Sequence, residues 1–184
     1  MTLSERLSQA LAKIRGVLPS GDSLDLLQSK GGRRAVIAAV TIYLALSLGL
    51  GFYWSMTPDS FDVLENRAKY LKSSDQSVTG AATTAALLEV TRLLLEKDGG
   101  YISNDITPPG TFLDNMPNWE YGALIQSRDL ARALREVLSR SQSQSQEDVD
   151  LTLAEPRINF QNSSWALPAT ESEYRDARRY LQAY

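Results

Sequence analysis

The sequence predicts a mostly α protein: one transmembrane helix, then a small antiparallel bundle of about four helices broken by a long irregular loop. Three observations carry this expectation. The stretch AVIAAVTIYLALSLGLGFYW, Ala35 to Trp54, contains no charged side chain. Two later segments, beginning at Ala81 and at Trp119, repeat apolar residues with the period of a helix that buries one face. Between them, Asp98 to Asn118 has no helical period and is punctuated by Pro108-Pro109-Gly110 and Met116-Pro117-Asn118. The expected division is a tail over 1–34, a span over 35–54 and a helical domain over 55–184.

The tail carries Leu3, Leu7, Leu11, Ile14 and Leu18 at helical spacing beside Lys13 and Arg15. The pattern suits a short amphipathic helix on the inner membrane surface, and equally one packed on a partner subunit. Pro19-Ser20-Gly21-Asp22 breaks it, and Ser29-Lys30-Gly31-Gly32 reads as a flexible joint before the span.

About 20 apolar residues at 1.5 Å rise cover the roughly 30 Å hydrocarbon core of a bilayer. A buried helix of a soluble protein normally shows a polar stripe, whereas here the polar groups are only Thr41, Tyr43, Ser47 and Tyr53. Thr and Ser hydroxyls return hydrogen bonds to the preceding turn and cost little in lipid. Phe52, Tyr53 and Trp54 form an aromatic belt at one end. Small residues from Ala35 to Gly49 and Gly51 either leave room for a partner helix or are filler in a lone anchor. Lys30, Arg33 and Arg34 precede the span, and the first charges after it are Asp59, Asp62 and Glu65. The positive-inside rule then places the tail in the cytoplasm and the remainder outside, the periplasm in a bacterium. A cleaved signal peptide is the competing reading, with Ser47-Leu48-Gly49 as its site, although tail and apolar core are both long for one.

Charge divides across the span, with a net +3 up to Arg34 and −6 from Ser55 onward. The acidic outer part argues against nucleic acid, which selects clustered Lys and Arg. With no Cys and no His, the chain lacks disulfides, thiol nucleophiles, imidazole or thiolate zinc sites, and the commonest general base at neutral pH. There is no phosphate loop, dinucleotide fingerprint, nucleophile elbow or EF-hand loop, so no cofactor is expected.

Beyond the span, Asp59 or Ser60 is placed to cap a helix with Phe61, Leu64, Ala68 and Leu71 on one side. Ser73 to Ser77 reads as a loop. The helix from Ala81 aligns Ala82, Ala86, Leu87, Val90, Leu93 and Leu94, and stops at Gly99-Gly100 after Lys97. The helix from Trp119, capped by Asn118, aligns Leu124, Leu130, Ala131, Leu134 and Leu138. Arg128, Arg132, Arg135 and Glu136 lie toward its solvated side; the arginine ladder suits phosphate or, with Asp129 and Glu136 interleaved, plain solvation. SRSQSQSQ from Ser139 to Gln146 reads as a fraying end or loop. Asp148 to Pro156 is ambiguous, LTLAEP suiting one helical turn. RINFQNSSWALP suits an extended segment that packs Phe160 and Trp165 onto the helices. Thr170-Glu171-Ser172-Glu173 is a capping box opening a last helix that presents Tyr174, Ala177, Tyr180, Leu181 and Tyr184.

The densest set of chemically capable residues is YISNDITPPGTFLDNMPNWEYG, Tyr101 to Gly122. It places Asn104, Asp105, Asp114, Asn115 and Glu120 beside Tyr101, Trp119 and Tyr121. Carboxylates among aromatics suit a carbohydrate site, and two carboxylates at suitable separation act as acid and base. The same oxygens suit a hard cation such as calcium. Against both stands the turn chemistry of Asn and Asp beside Pro and Gly, which makes these residues organisers of the loop, with Trp119 and Tyr121 as its anchors.

The runs GGYISNDITPPGTFLDNMPNWEYGALIQSRDLARALR, SRSQSQSQEDVDL and INFQNSSWALPATESEYR resemble a family of uncharacterised proteobacterial inner-membrane proteins, classed as a domain of unknown function. The resemblance spans roughly Gly51 to Tyr184. It implies a Gram-negative inner membrane and a chain about twice this length, of which this would be the N-terminal half. It brings no activity, cofactor or catalytic residue. The function expected is therefore a single-pass anchored adaptor or accessory subunit of an envelope or membrane complex, non-enzymatic. Its partners are the lipid bilayer and proteins of the inner membrane or periplasm. The alternative is a periplasmic enzyme or binding protein acting on glycan or lipid through Asp105, Asp114 and Glu120.

Overall fold

A computed structural model of the chain describes residues 29–71, 79–139 and 146–184. The amphipathic tail from Leu3 to Leu18, its break at Pro19–Asp22, the loop at Ser73–Ser77 and most of the SRSQSQSQ patch lie outside the described residues. The described chain is all helix, turn and loop, with no strand among the described residues. Two compact units divide it, Met1–Ser47 and Leu48–Tyr184.

Helix α1, Lys30–Trp54, is long and apolar enough to cross a membrane. It contains every residue expected in the span, from Ala35 through Tyr43 and Gly49 to Trp54. Ile37, Val40, Ile42 and Leu46 are exposed. Thr41 Oγ1 donates to Ile37 O at 2.8 Å, the local bond that makes a hydroxyl tolerable there. The expected joint at Ser29–Gly32 is instead the first turn of α1. Gly32 N donates to the Ser29 hydroxyl at 3.0 Å, so a side-chain cap overcomes the two glycines.

In the second unit the last turns of α1 are followed by α2, Val63–Tyr70; α3, Ala81–Glu96; α4, Asn115–Ala133; α5, Val149–Ile158; and α6, Thr170–Ala183. Helix α3 packs against α2, α4 and α6, and α5 packs against α4 and α6. Their shared core includes Leu87, Leu94, Leu124, Leu134, Leu151, Ile158, Tyr174 and Leu181.

Several helix boundaries and faces depart from the periodic reading. Asp62, not Asp59 or Ser60, caps α2, accepting from Leu64 N at 2.9 Å and Glu65 N at 2.8 Å. The buried residue of α2 is Asn66, whose Nδ2 donates to Ala85 O at 2.9 Å, while Leu64 and Ala68 are exposed. A specific hydrogen bond to α3 sets its rotation rather than apolar area. On α3 the buried residues are Ala85, Leu87, Leu88, Glu89, Thr91, Leu94 and Leu95, and Leu93 is half-buried. Thr91 joins them because its hydroxyl donates to Leu87 O at 2.6 Å.

Helix α4 begins four residues before Trp119, so Asn118 is inside it rather than at its cap. Pro117 sits in the first turn, where a missing N–H breaks no helical bond. Asp114 occupies the cap position without a side-chain bond. Beyond Ala133 the helix widens into a π turn, Leu134–Leu138, closed by Ser139 N donating to Leu134 O at 2.9 Å. The widened turn rotates Leu138 out of the apolar stripe, and it is exposed.

Arg128 is not on a solvated face. Its Nε donates to Ile158 O at 3.0 Å and its Nη2 to Phe160 O at 2.6 Å, satisfying orphan carbonyls at the end of α5. Arg135 bonds Glu147 at 3.1 Å and Glu155 at 2.7 Å; Arg132 is exposed as expected. The ambiguous segment is the ten-residue α5, capped by Asp148 accepting from Asp150 N at 2.9 Å and Leu151 N at 3.1 Å. Phe160 packs on the core, but Trp165 is exposed. No capping box opens α6. Ala169 is its cap residue, and the Thr170 hydroxyl bonds Gln161 O at 2.9 Å and Ser164 N at 3.1 Å, tying the preceding loop instead. Tyr174, Ala177 and Leu181 are buried as the spacing predicts.

Candidate functional site

The irregular segment from Asp98 to Asp114 receives the end of α1. The Trp54 indole lies over Gly99, where an added Cβ would come within 2.7 Å of its Cγ and Cδ2. Gly99 also has φ +81°, which L side chains rarely adopt. A Cβ on Gly51 would lie 3.5 Å from Pro109 Cβ and 3.8 Å from Leu113 Cδ2. Asn115 Nδ2 donates to Ser55 O at 2.9 Å, taking up a carbonyl at the C-terminus of α1. Gly99→Ala is expected to lower stability by ~1–3 kcal/mol through backbone strain. It should also displace Trp54 and speed proteolysis within 98–105. Unchanged proteolysis and an unchanged melting midpoint would contradict this packing.

Glu120 holds the loop from inside. It is fully buried (0 % exposed) on the second turn of α4. Its Oε1 accepts from Ile102 N at 2.8 Å and from Lys97 Nζ. Its Oε2 accepts from Ser103 N at 2.8 Å and from the Ser103 hydroxyl. Lys97 Nζ also donates to Gly100 O. A carboxylate buried without partners would be prohibitively costly; here an ammonium and backbone amides occupy both oxygens. The loop folds back on α4 because Glu120 supplies the acceptors its amides lack.

Around this hub the loop is tied to the α5–α6 connection. Asn104 Nδ2 donates to Ser164 O and to Glu171 Oε2, both at 2.9 Å. The Tyr101 hydroxyl donates to Asn162 O at 3.0 Å, and its ring meets Tyr174 edge-on at 5.7 Å. Burial pushes the Tyr101 phenol up, so it remains a donor. The Asp105 carboxylate packs against Gly110, where any Cβ would overlap it. Burial lifts Asp105 above its ordinary 3.8; Glu120 and Glu171 add to the lift and Lys97 opposes it.

A carboxyl lifted in the folded state opposes folding when ionised. Its penalty is present above the folded pKa and is relieved as pH falls toward the unfolded value near 3.8. Asp105→Asn is therefore expected to raise stability at pH 7, by no more than ~1 kcal/mol because exposure screens the effect. The gain should vanish as pH approaches 4. A variant less stable at neutral pH would show that the charge is a favourable partner.

The loop thus brings together Tyr101, Asn104 and Glu120 as an internal network, with Asp105 exposed beside Gly110. Trp119 is partly buried against the core, as an anchor should be. Tyr121 is exposed and anchors nothing. Asp114 is exposed at the helix start, and Asn115 is spent on Ser55. Among the described residues no group of three or more acidic side chains is arranged to hold a metal ion.

A cleft of about 540 Å³ lies elsewhere, between the 56–66 segment and α3. Asp105, Asp114 and Glu120 do not line it. Two of its carboxylates are engaged in ion pairs: Glu89 bonds Arg92 at 2.7 Å and the Tyr70 hydroxyl at 3.0 Å, and Glu96 bonds Arg178 at 2.6 Å. The Arg92 guanidinium holds Glu89 below the usual carboxylate range. Sequence reasoning missed this cleft, Lys97 and the Arg128 clamp. The available hint was a Lys at the end of an apolar helix, which reads first as dipole chemistry.

These features define an all-helical body into which the end of one membrane-length helix is built. The chain belongs to a bacterial family described as "Uncharacterized protein conserved in bacteria (DUF2333)", whose model matches residues 27–184. No curated protein and no solved structure matches it.

Proposed function

We propose that the protein is a single-pass adaptor or accessory subunit of an envelope or membrane protein complex, anchored in the bacterial inner membrane and non-enzymatic. The tail lies in the cytoplasm and the helical domain in the periplasm. One observation carries this reading: the 98–115 loop is closed by internal bonds, Ile102 N and Ser103 N to Glu120, Asn104 to Ser164 O and Asn115 to Ser55 O at the end of α1, and Asp105, Asp114 and Glu120 do not line the cleft. A domain fastened in this way presents its surface to partners at a fixed distance from the bilayer. The flank of Lys30, Arg33 and Arg34 supports the orientation.

A reporter active only outside the cytoplasm, fused after Tyr184, is expected to be active in a bacterial host, with Met1 or Thr2 retained as the N-terminus. Activity of a cytoplasm-only reporter at that point would overturn the orientation, and a mature start near Leu50 would overturn the uncleaved anchor.

The lifted Asp105 carboxyl favours a second reading, an envelope enzyme acting on glycan or lipid. Complementation of a deletion strain separates the two. The adaptor reading expects the Asp105→Asn, Asp114→Asn double variant to complement and to retain its co-purifying protein. A folded, inserted, complex-bound double variant that fails to complement would favour the enzyme.

A further inference from the structure

The loop tip from Ile106 to Leu113 reads ITPPGTFL and carries no charge, in a domain that is otherwise acidic. Its position along α1 follows from the contacts at the helix end. Asn115 bonds the carbonyl of Ser55, whereas Pro109 and Leu113 lie against Gly51. The tip therefore runs back along α1 by four residues, ~6 Å at the helical rise, from the end of the helix into the uncharged stretch. Within this tip Phe112 is 69 % exposed and Ile106 is 59 % exposed. The adjacent Phe52 and Tyr53 of α1 are also exposed.

The backbone of the tip is prepared for a medium poor in water. Pro108 and Pro109 have no N–H to satisfy. Thr111 N donates to Thr107 O at 3.4 Å, Phe112 N to Pro109 O at 3.0 Å and Leu113 N to Gly110 O at 3.0 Å. Three of its six amide donors are thus bonded within the tip and two further positions carry none, which lessens the cost of leaving bulk water. Two exposed apolar side chains on a segment with no charge of its own are a liability in water and suit the headgroup–acyl boundary.

We propose that residues 106–113 insert into the bilayer interface beside the Trp54 end of α1, with Phe112 and Ile106 as the inserted side chains. The domain then holds its membrane at two points, the span and this tip, which would limit its tilt and rotation about the helix axis. The inference rests on α1 spanning the membrane, a part of the preceding proposal. The occupant is lipid because the tip is continuous with the apolar surface of α1 and lies at its depth.

The chain has no Cys, so single spin labels at Phe112→Cys, Leu46→Cys and Gln126→Cys can be compared in the full chain reconstituted in phosphatidylethanolamine–phosphatidylglycerol vesicles. Leu46 reports the span and Gln126, exposed on α4, reports water. The Phe112 label is expected to collide with oxygen more often, and with a water-soluble nickel chelate far less often, than the Gln126 label. A Phe112 label as open to nickel as Gln126, with Leu46 still shielded and oxygen-rich, would overturn the insertion and leave the span intact. A Phe112 label shielded from both reagents would overturn it in favour of a protein occupant, such as a partner helix or a second copy. A Leu46 label open to nickel would overturn the span and the insertion together. Because Phe112 is exposed, its replacement opens no core cavity, and the circular dichroism melt should match that of the unsubstituted chain.

Discussion

Glu120→Ala is expected to be among the most damaging single substitutions in the domain, lowering stability by ~3–5 kcal/mol. The change removes the acceptor of Lys97 Nζ, Ile102 N, Ser103 N and the Ser103 hydroxyl together. The Lys97 side chain is only 3 % exposed, so its buried ammonium loses its ion pair and keeps the Gly100 carbonyl as its close partner. Against a typical domain stability of ~5–15 kcal/mol, such a loss is readable as a large fall in the melting midpoint of detergent-solubilised protein. The loop should loosen with it, exposing 98–105 to protease and freeing Trp54. Pairing Lys97→Met with Glu120→Leu tests the cause. If the unpaired ammonium dominates, the double variant recovers much of the loss. The amides of Ile102 and Ser103 remain unpaired in it, so recovery is incomplete. A double variant as unstable as Glu120→Ala would assign the effect to those amides rather than to the ion pair.

Leu94→Ala is expected to cost ~2–5 kcal/mol, because the side chain is fully buried in the core and its loss leaves a cavity. Leu93→Ala, one position away, should cost clearly less, since Leu93 is only half-buried. The comparison reads out which face of α3 looks inward. Leu134→Ala belongs with Leu94, because Leu134 is 1 % exposed despite starting the π turn. Equal denaturant midpoints for Leu93→Ala and Leu94→Ala, at the same slope, would show that α3 is rotated from the position described.

The residues that agree with the periodic reading share one property: their role is decided within a turn or two of chain. Ala35 to Trp54 forms a helix because about 20 uncharged residues satisfy their own backbone and need nothing else. Leu87, Leu94, Leu124, Leu134, Tyr174, Ala177 and Leu181 are buried where the helical period puts them. Asp62 and Asp148 show how nearly local the caps are. Each sits within a few residues of the expected start, yet which of several candidate caps wins depends on where the helix packs.

Leu138, Trp165, Tyr121 and Asn118 mark where local pattern stops deciding. A π turn overrides it at Leu138, an open loop at Trp165 and a proline in the first turn at Asn118, while Tyr121 falls on the exposed side of α4. The site belongs wholly to this second class. Glu120 looks like a solvated carboxylate on an amphipathic helix and Lys97 like a terminal cation. They meet across 23 residues only because α3 and α4 pack together. Arg128 reaches Ile158 O across 30 residues for the same reason. A membrane-length apolar helix, the chief helices beyond it and the existence of an irregular loop are legible in residue order, since these follow from near-neighbour chemistry. Tertiary structure alone decided that the loop closes on Glu120 and receives Trp54, because a buried charge is tolerable only where distant segments bring it every partner it needs.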